Sequence, residues 1–284
     1  MYAESFEYHA PASLKEAVTL LGQYGEDAKI VTGGMSLIPM MKLRLAAPKH
    51  LVDLKNIAEL KGIAEVGGKV TIGARTTYWE LESDRTIAAK CPLLAMAAAS
   101  VGDVQVRNRG TIGGALAHND PSADIPAALV ALDAEITLIG KSERTVPIKE
   151  FLVDSLTTSI KPGEVLAAIT VPATGKKVSY AKMAQQASGF ALVGVAAIVE
   201  VAGGKCKSVR IGVTGVSPKA FRAASVEAAL TGKALDAAAI AAAAEKIAAD
   251  ARDPLGDPLN ASPEYRLHLA KVYTRRALEA AAKA

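Results

Sequence analysis

Two short segments of this 284-residue chain carry residue types suited to holding a phosphate. They are Thr32-Gly33-Gly34-Met35-Ser36 and Thr111-Ile112-Gly113-Gly114-Ala115, the second preceded by Arg107-Asn108-Arg109-Gly110. Glycines let a backbone approach a ligand and take positive φ, so that successive amide N–H groups point at one anion. A helix starting at Ser36 would add the partial positive charge of its first turn, and the Ser36 hydroxyl one further donor. Either segment alone reads as an ordinary turn. Two converging from distant parts of the chain would cradle a diphosphate.

Other chemistries find little support. The chain has no Gly-x-Gly-x-x-Gly after a strand, so a Rossmann dinucleotide site is not indicated. Gly204-Lys205 is followed by Cys206, and Gly232-Lys233 by Ala234, so neither completes a phosphate loop. Cys91 and Cys206 form no Cys-x-x-Cys arrangement and read as small core residues. His9, His50, His118 and His268 show no ligand spacing, so no metal is assigned to this chain, and an iron–sulfur cluster would need more thiolates. His118 and Asp120 have no nucleophile or third partner and read as loop-shaping groups. A net charge of +4 and 4% aromatic residues do not suit a nucleic-acid binder. The start Tyr-Ala-Glu-Ser-Phe-Glu has no signal-peptide character, and the alanine-rich Leu235 to Ala248 is too short and too charged to span a bilayer, so a cytoplasmic protein is expected.

Length and composition suggest two or three compact units. In the first, Ser13 and Glu16 form a capping-box pattern ahead of Leu14, Val18 and Leu21, predicting a helix that stops at Gly25. Ala28 to Thr32 and His50 to Lys55 read as strands, with a short helix from Ser36 to Leu45 kinked by Pro39. In the second, Val66 to Ala74 reads as a hairpin turning at Gly67-Gly68. Tyr78 to Asp84, Leu93 to Ser100 and Asp124 to Leu132 read as helices, Asp103 to Pro121 as irregular, and Glu135 to Ile139 and Val165 to Val171 as strands. In the third, strands at Val178 to Met183, Ala191 to Val201 and Ser208 to Gly215 precede alanine-rich helices near Ala234 to Ala251 and Pro263 to Ala282. The stretch Asp253 to Pro258 between those helices reads as a loop. Strands followed by segregated helices argue for an α+β class.

Three runs carry a more specific resemblance. GGMSLIPMMKLRLAAPKHLVDL (Gly33 to Leu54), RNRGTIGGALAHNDPSADIPAAL (Arg107 to Leu129) and SYAKMAQQASGFALVGVAA (Ser179 to Ala197) resemble, in order, the two flavin loops and the opening of the C-terminal domain in the FAD-binding subunits of molybdenum hydroxylases. That family includes carbon monoxide and xanthine dehydrogenases. The resemblance covers essentially the whole chain. It implies a two-part FAD-binding domain of the vanillyl-alcohol oxidase (PCMH) type, as subdomains 1–56 and 57–175, plus a C-terminal α+β domain at 176–284. It further implies that Thr32, Gly33, Gly34, Met35, Ser36, Thr111, Ile112, Gly113, Gly114 and Ala115 hold the FAD diphosphate and adjoining groups, with Ile112 packing near the flavin ring. Asp124, Leu166 and Lys182 would also contact the flavin, and a cation at Lys182 would stabilise its anionic reduced form.

Read without the resemblance, Lys182 is a solvated edge-strand lysine and Asp124 a helix N-cap. The implied function is electron relay. A large molybdenum-pterin subunit and a small subunit with 2Fe-2S clusters would complete a dimer of heterotrimers, this chain passing electrons to an external acceptor without catalytic residues of its own. Two departures stand out: family members often have His at Met35 and a polar residue at Ala115. A self-sufficient flavin oxidase or reductase, and a scaffold that has lost FAD, are the competing readings.

Overall fold

The computed structural model of the chain describes residues 2–256 and 260–284. The Ser13–Glu16 pattern produces the helix Leu14–Tyr24: Ser13 Oγ accepts from Glu16 N–H at 3.2 Å, and Glu16 Oε2 from Ala12 N–H at 2.8 Å. Backbone donors stranded at the helix start are thereby satisfied. The helix buries Leu14, Ala17 and Leu21 against a three-stranded parallel sheet ordered Glu7–His9, His50–Asp53, Ala28–Val31. A connection carrying a helix returns the chain in the same direction, which is why the strands are parallel.

A second sheet is antiparallel and five-stranded, in the order Ile63–Val66, Lys69–Gly73, Val165–Pro172, Glu135–Ile139, Glu143–Pro147. Alternate residues Val70, Ile72, Ile136 and Leu138 point into one core with the helices Pro92–Ala99, Ile112–His118 and Asp124–Ala131. The strand Glu143–Pro147 has no signal in the sequence because Val146 is its one buried residue. The stretch 103–121, expected to be irregular, instead forms two helices, Val104–Arg109 and Ile112–His118. Asp103 and Thr111 cap them, accepting from Val106 and Gly114 N–H at 2.8 and 3.1 Å. Capping and burial together outweigh the low helix propensity of Gly113 and Gly114.

The third sheet is antiparallel, ordered Val178–Ala184, Ala191–Ala202, Lys205–Thr214, Phe221–Arg222. The helices Ala224–Leu230, Ala237–Ala244 and Pro263–Lys283 pack with it in one core. The alanine-rich helix ends earlier than expected, continuing as a 3-10 turn at Glu245–Ala249. The sheet also receives the helix Asp124–Ala131: a methyl at Gly212 would lie 2.0 Å from the Ala127 carbonyl oxygen, so only glycine permits this approach. The Asp253 to Pro258 loop lies partly outside the described residues. Among the described residues no helix is long and apolar enough to cross a membrane.

Candidate functional site

The strand Ala28–Val31 delivers the chain directly into the first glycine segment. Gly34 takes φ 76°, and a methyl at Gly33 would lie 2.2 Å from the Arg109 carbonyl oxygen. The Arg109–Gly110 backbone just ahead of the second segment therefore rests on the first. Among the described residues the N–H groups of Gly33, Gly34, Met35 and Ser36 meet no protein acceptor, while the carbonyls of Gly34 and Ser36 accept from Ile38 and Met40 at 3.1 Å. The helix here is Leu37–Lys42, six residues starting after Ser36, whose hydroxyl does not cap it. The helix runs through Pro39 unbroken, because that residue lies in the first turn, where no N–H is required.

The second segment differs. Thr111 caps the helix Ile112–His118, and the four amides that follow it are committed: Ile112 to Thr76 O at 3.0 Å, Gly113 to Ala74 O at 2.9 Å, Gly114 to Thr111 Oγ1 at 3.1 Å, Ala115 to Thr111 O at 3.0 Å. The expectation of a second row of open amides is thus corrected. Ile112 and Gly113 are buried, and their N–H groups take the Thr76 and Ala74 carbonyls. What joins the segments is a pair of hydroxyls, Thr32 Oγ1 and Thr111 Oγ1, 2.9 Å apart. Ile112 is wholly buried in the core and Leu166 nearly so, next to a register shift in its strand. Met35 remains 40% exposed.

Asp124 and Lys182 meet. Lys182 Nζ donates to Asp124 Oδ2 and to Ser100 O, both at 2.8 Å, and Tyr180 O–H donates to Asp124 Oδ1 at 2.6 Å. The two charged side chains are 8% and 4% exposed, so Lys182 is not a solvated lysine. Asp124 is not the N-cap of its helix, which is Ala123; it is the first helical residue, and its carboxylate turns to the neighbouring sheet. Burial raises the Asp124 carboxyl above its ordinary value, opposed by Lys182 and Tyr180. Burial, and then the Asp124 charge, raise the Tyr180 phenol, keeping it a proton donor. Tyr180 was missed in the sequence: a tyrosine in an apolar strand gives no sign of a buried carboxylate partner.

Asn119 was missed too. It sits at φ 49°, fully buried, and its Nδ2 donates to Asp154 O and Thr157 O at 2.7 and 2.9 Å, closing the helix on which Thr111 stands. Asp120 Oδ1 accepts from Ser122 N–H at 2.8 Å and shapes the following turn.

Comparison with known families places this architecture. The model for the FAD binding domain in molybdopterin dehydrogenase matches residues 4–174, and that for the CO dehydrogenase flavoprotein C-terminal domain matches residues 178–281. The chain belongs to the FAD-binding medium-subunit family of the molybdenum hydroxylases, an oxidoreductase flavoprotein with the expected α+β fold. Among its relatives is the carbon monoxide dehydrogenase medium chain of Hydrogenophaga pseudoflava, 43% identical over 99% of this chain and 98% of that one. The glyceraldehyde dehydrogenase medium chain of Sulfolobus acidocaldarius is 35% identical over 98% and 99%. A solved structure of the Hydrogenophaga carbon monoxide dehydrogenase, lacking the Mo-pyranopterin moiety of its cofactor, superposes with a TM-score of 0.96 at 44% identity, covering 100% of this chain and 99% of that one.

Proposed function

We propose that this chain is the electron-transfer subunit of a molybdenum hydroxylase complex, passing electrons from 2Fe-2S clusters on a partner subunit through FAD to an external acceptor. The observation that carries the reading is the row of open amides at Gly33–Ser36, joined to Thr111 by the Thr32 hydroxyl. Those groups suit a diphosphate: several N–H donors, two hydroxyls, and no carboxylate in either segment. Bound there, the flavin supplies one- and two-electron redox chemistry.

In this reading Thr32, Gly33, Gly34, Met35 and Ser36 hold the diphosphate. Thr111, Gly114 and Ala115 form the facing wall, with Ile112, Gly113 and Leu166 as its packed backing. Lys182 acts with Asp124 as a fixed ion pair, so its field toward a ligand is that of a dipole, weaker than that of a free ammonium. No acid or base on this chain is required.

The clusters belong on another chain, because the two cysteines are both buried and lie in different cores. A large molybdenum-pterin subunit and a small iron–sulfur subunit complete the proposed assembly, a dimer of heterotrimers without nucleic acid, located in the cytoplasm. The substrate is selected on the molybdenum subunit. We divide the chain at 1–56, 57–175 and 176–284, a division supported by the three larger sheets, each of which falls within one of these parts.

Co-purification from cells producing all subunits, with flavin, iron and molybdenum analysis, tests the reading. Recovery of one FAD per chain together with a molybdenum protein and an iron–sulfur protein supports it. Recovery alone as an active oxidase, or without flavin, overturns it.

A further inference from the structure

We propose that Glu7, His9 and His50 form a binding site for a borderline divalent transition metal ion of the zinc class, which ties the first strand of the chain to the strand beside it. The residues are distant in sequence, but the parallel register places Glu7 opposite His50 and His9 opposite Val52, all facing one side of the sheet. His9 Nε2 and His50 Nδ1 are 3.2 Å apart; Glu7 Oε2 lies 3.4 Å from His50 Nδ1 and 3.9 Å from His9 Nε2. Zinc bonds of about 2.0–2.1 Å in a tetrahedron separate neighbouring ligand atoms by about 3.3 Å. The observed triangle is already near that size. Two imidazoles and a carboxylate are a zinc-type donor set; magnesium and calcium prefer oxygen alone.

The surroundings fit a cation. The Tyr24 ring stacks on His50 at 3.6 Å between centroids and 13°, and on His9 at 5.1 Å and 28°, which holds both imidazoles in place before any ion arrives. Tyr24 is also the last residue of the helix Leu14–Tyr24, whose C-terminal end favours positive charge. The His50 side chain is 16% exposed and that of His9 20%, while Glu7 is 72% exposed, so an ion has an entry path and room for a water as fourth ligand.

The site is separate from the glycine segments. His50 pairs with Ala28 at the start of the parallel strands, whereas Thr32 follows their far end, about 13 Å away along the strand. Its consequence is mechanical. The strand Glu7–His9 has three residues and lies at a sheet edge near the chain start, where fraying is expected. A metal bond from His9 and Glu7 to His50 would pin it to the central strand.

Titration of the purified, chelator-stripped full chain with Co2+ tests the proposal. The expected result is one equivalent bound, with the intense visible bands of a four-coordinate centre, displaced by one equivalent of Zn2+. His9→Gln and His50→Gln should abolish the bands. Even partners outside the coordination sphere are worth about 10–100-fold in metal affinity, so Glu7→Gln, on an exposed side chain, should weaken Zn2+ by at least about 10-fold. His268→Gln, on the C-terminal helix, should leave binding unchanged. In the parent chain Zn2+ should slow amide exchange at residues 7–9, a readout that survives if His50→Gln does not fold. Absence of Co2+ bands in the parent, or unchanged binding in any of the three site variants, overturns the proposal.

Discussion

The two glycine segments look alike in sequence and differ in the folded chain. Among the described residues the amides of Gly33–Ser36 have no protein acceptor, whereas at Ile112–Ala115 every amide has one. The same dipeptide therefore leaves open donors on one side, which the proposed function assigns to a ligand, and builds a self-satisfied wall on the other. The difference arises from what each segment meets: Ala74, Thr76 and the Thr111 cap offer acceptors to Ile112–Ala115, and nothing equivalent faces Gly33–Ser36 among the described residues. The first segment lies between a strand end and a short exposed helix, whereas the second is driven into the core through Ile112 and must satisfy its backbone internally. Wall variants should therefore lose stability first, and ligand-side variants should lose flavin first.

The largest effect belongs to the buried Asp124–Lys182 pair. Asp124→Ala leaves the Lys182 ammonium buried without its carboxylate, and removing one partner of a buried pair costs about 3–5 kcal/mol. Denaturant unfolding should show this loss with or without FAD. An unchanged midpoint would mean the pair is solvated. Gly33→Ala comes next. The added methyl meets the Arg109 carbonyl oxygen at 2.2 Å, backbone that can yield only by parting the segments. Overpacking costs about 1–3 kcal/mol, which corresponds to about 5- to 150-fold weaker FAD binding in a fluorescence titration. The corresponding change Gly114→Ala meets mainly the Thr111 hydroxyl at 2.8 Å and should weaken binding less.

A smaller effect separates the two hydroxyls that touch. Thr111→Val removes a helix cap as well as the Thr32 contact and should cost about 1 kcal/mol of stability. Thr32→Val removes only the contact and should cost less; equal losses would contradict the distinction.

The smallest effect is on the pH dependence. Arg144 grips Glu164 through two hydrogen bonds of 2.7 and 2.8 Å and holds its carboxyl below the ordinary value. A lowered folded-state pKa contributes stability that is full above the unfolded carboxyl's value of about 4.3 and lost as pH falls through the folded value. Unfolding measured from neutral pH downward should therefore show a steeper acid loss in the parent than in Glu164→Gln.

Much of the frame was legible in the sequence. The Ser13–Glu16 cap, the hairpin at Gly67-Gly68 and the three long C-terminal strands follow from local pattern, because their apolar periodicity is also their burial pattern. The two helices between residues 103 and 121 were not legible: their caps are ordinary Asp and Thr residues, and the second is held against Ala74 and Thr76, far back in the chain. Within the candidate site, the glycine segments were legible from residue types alone, and the Asp124 and Lys182 positions came through the family resemblance. The partners that define them, Tyr180, Ser100 and the Thr32–Thr111 contact, were not, because each joins residues at least 56 positions apart. The His9–His50 pair was hidden for the same reason: parallel pairing across a helical connection leaves no spacing to read.

Amide hydrogen exchange, followed by mass spectrometry on the chain with and without FAD, addresses the central claim most directly. Exchange at Gly33, Gly34, Met35 and Ser36 should be fast in the stripped chain and slow sharply on loading, while Ile112 to Ala115 should be slow in both states. Unchanged fast exchange at 33–36, or protection gained at 112–115 instead, would contradict the account.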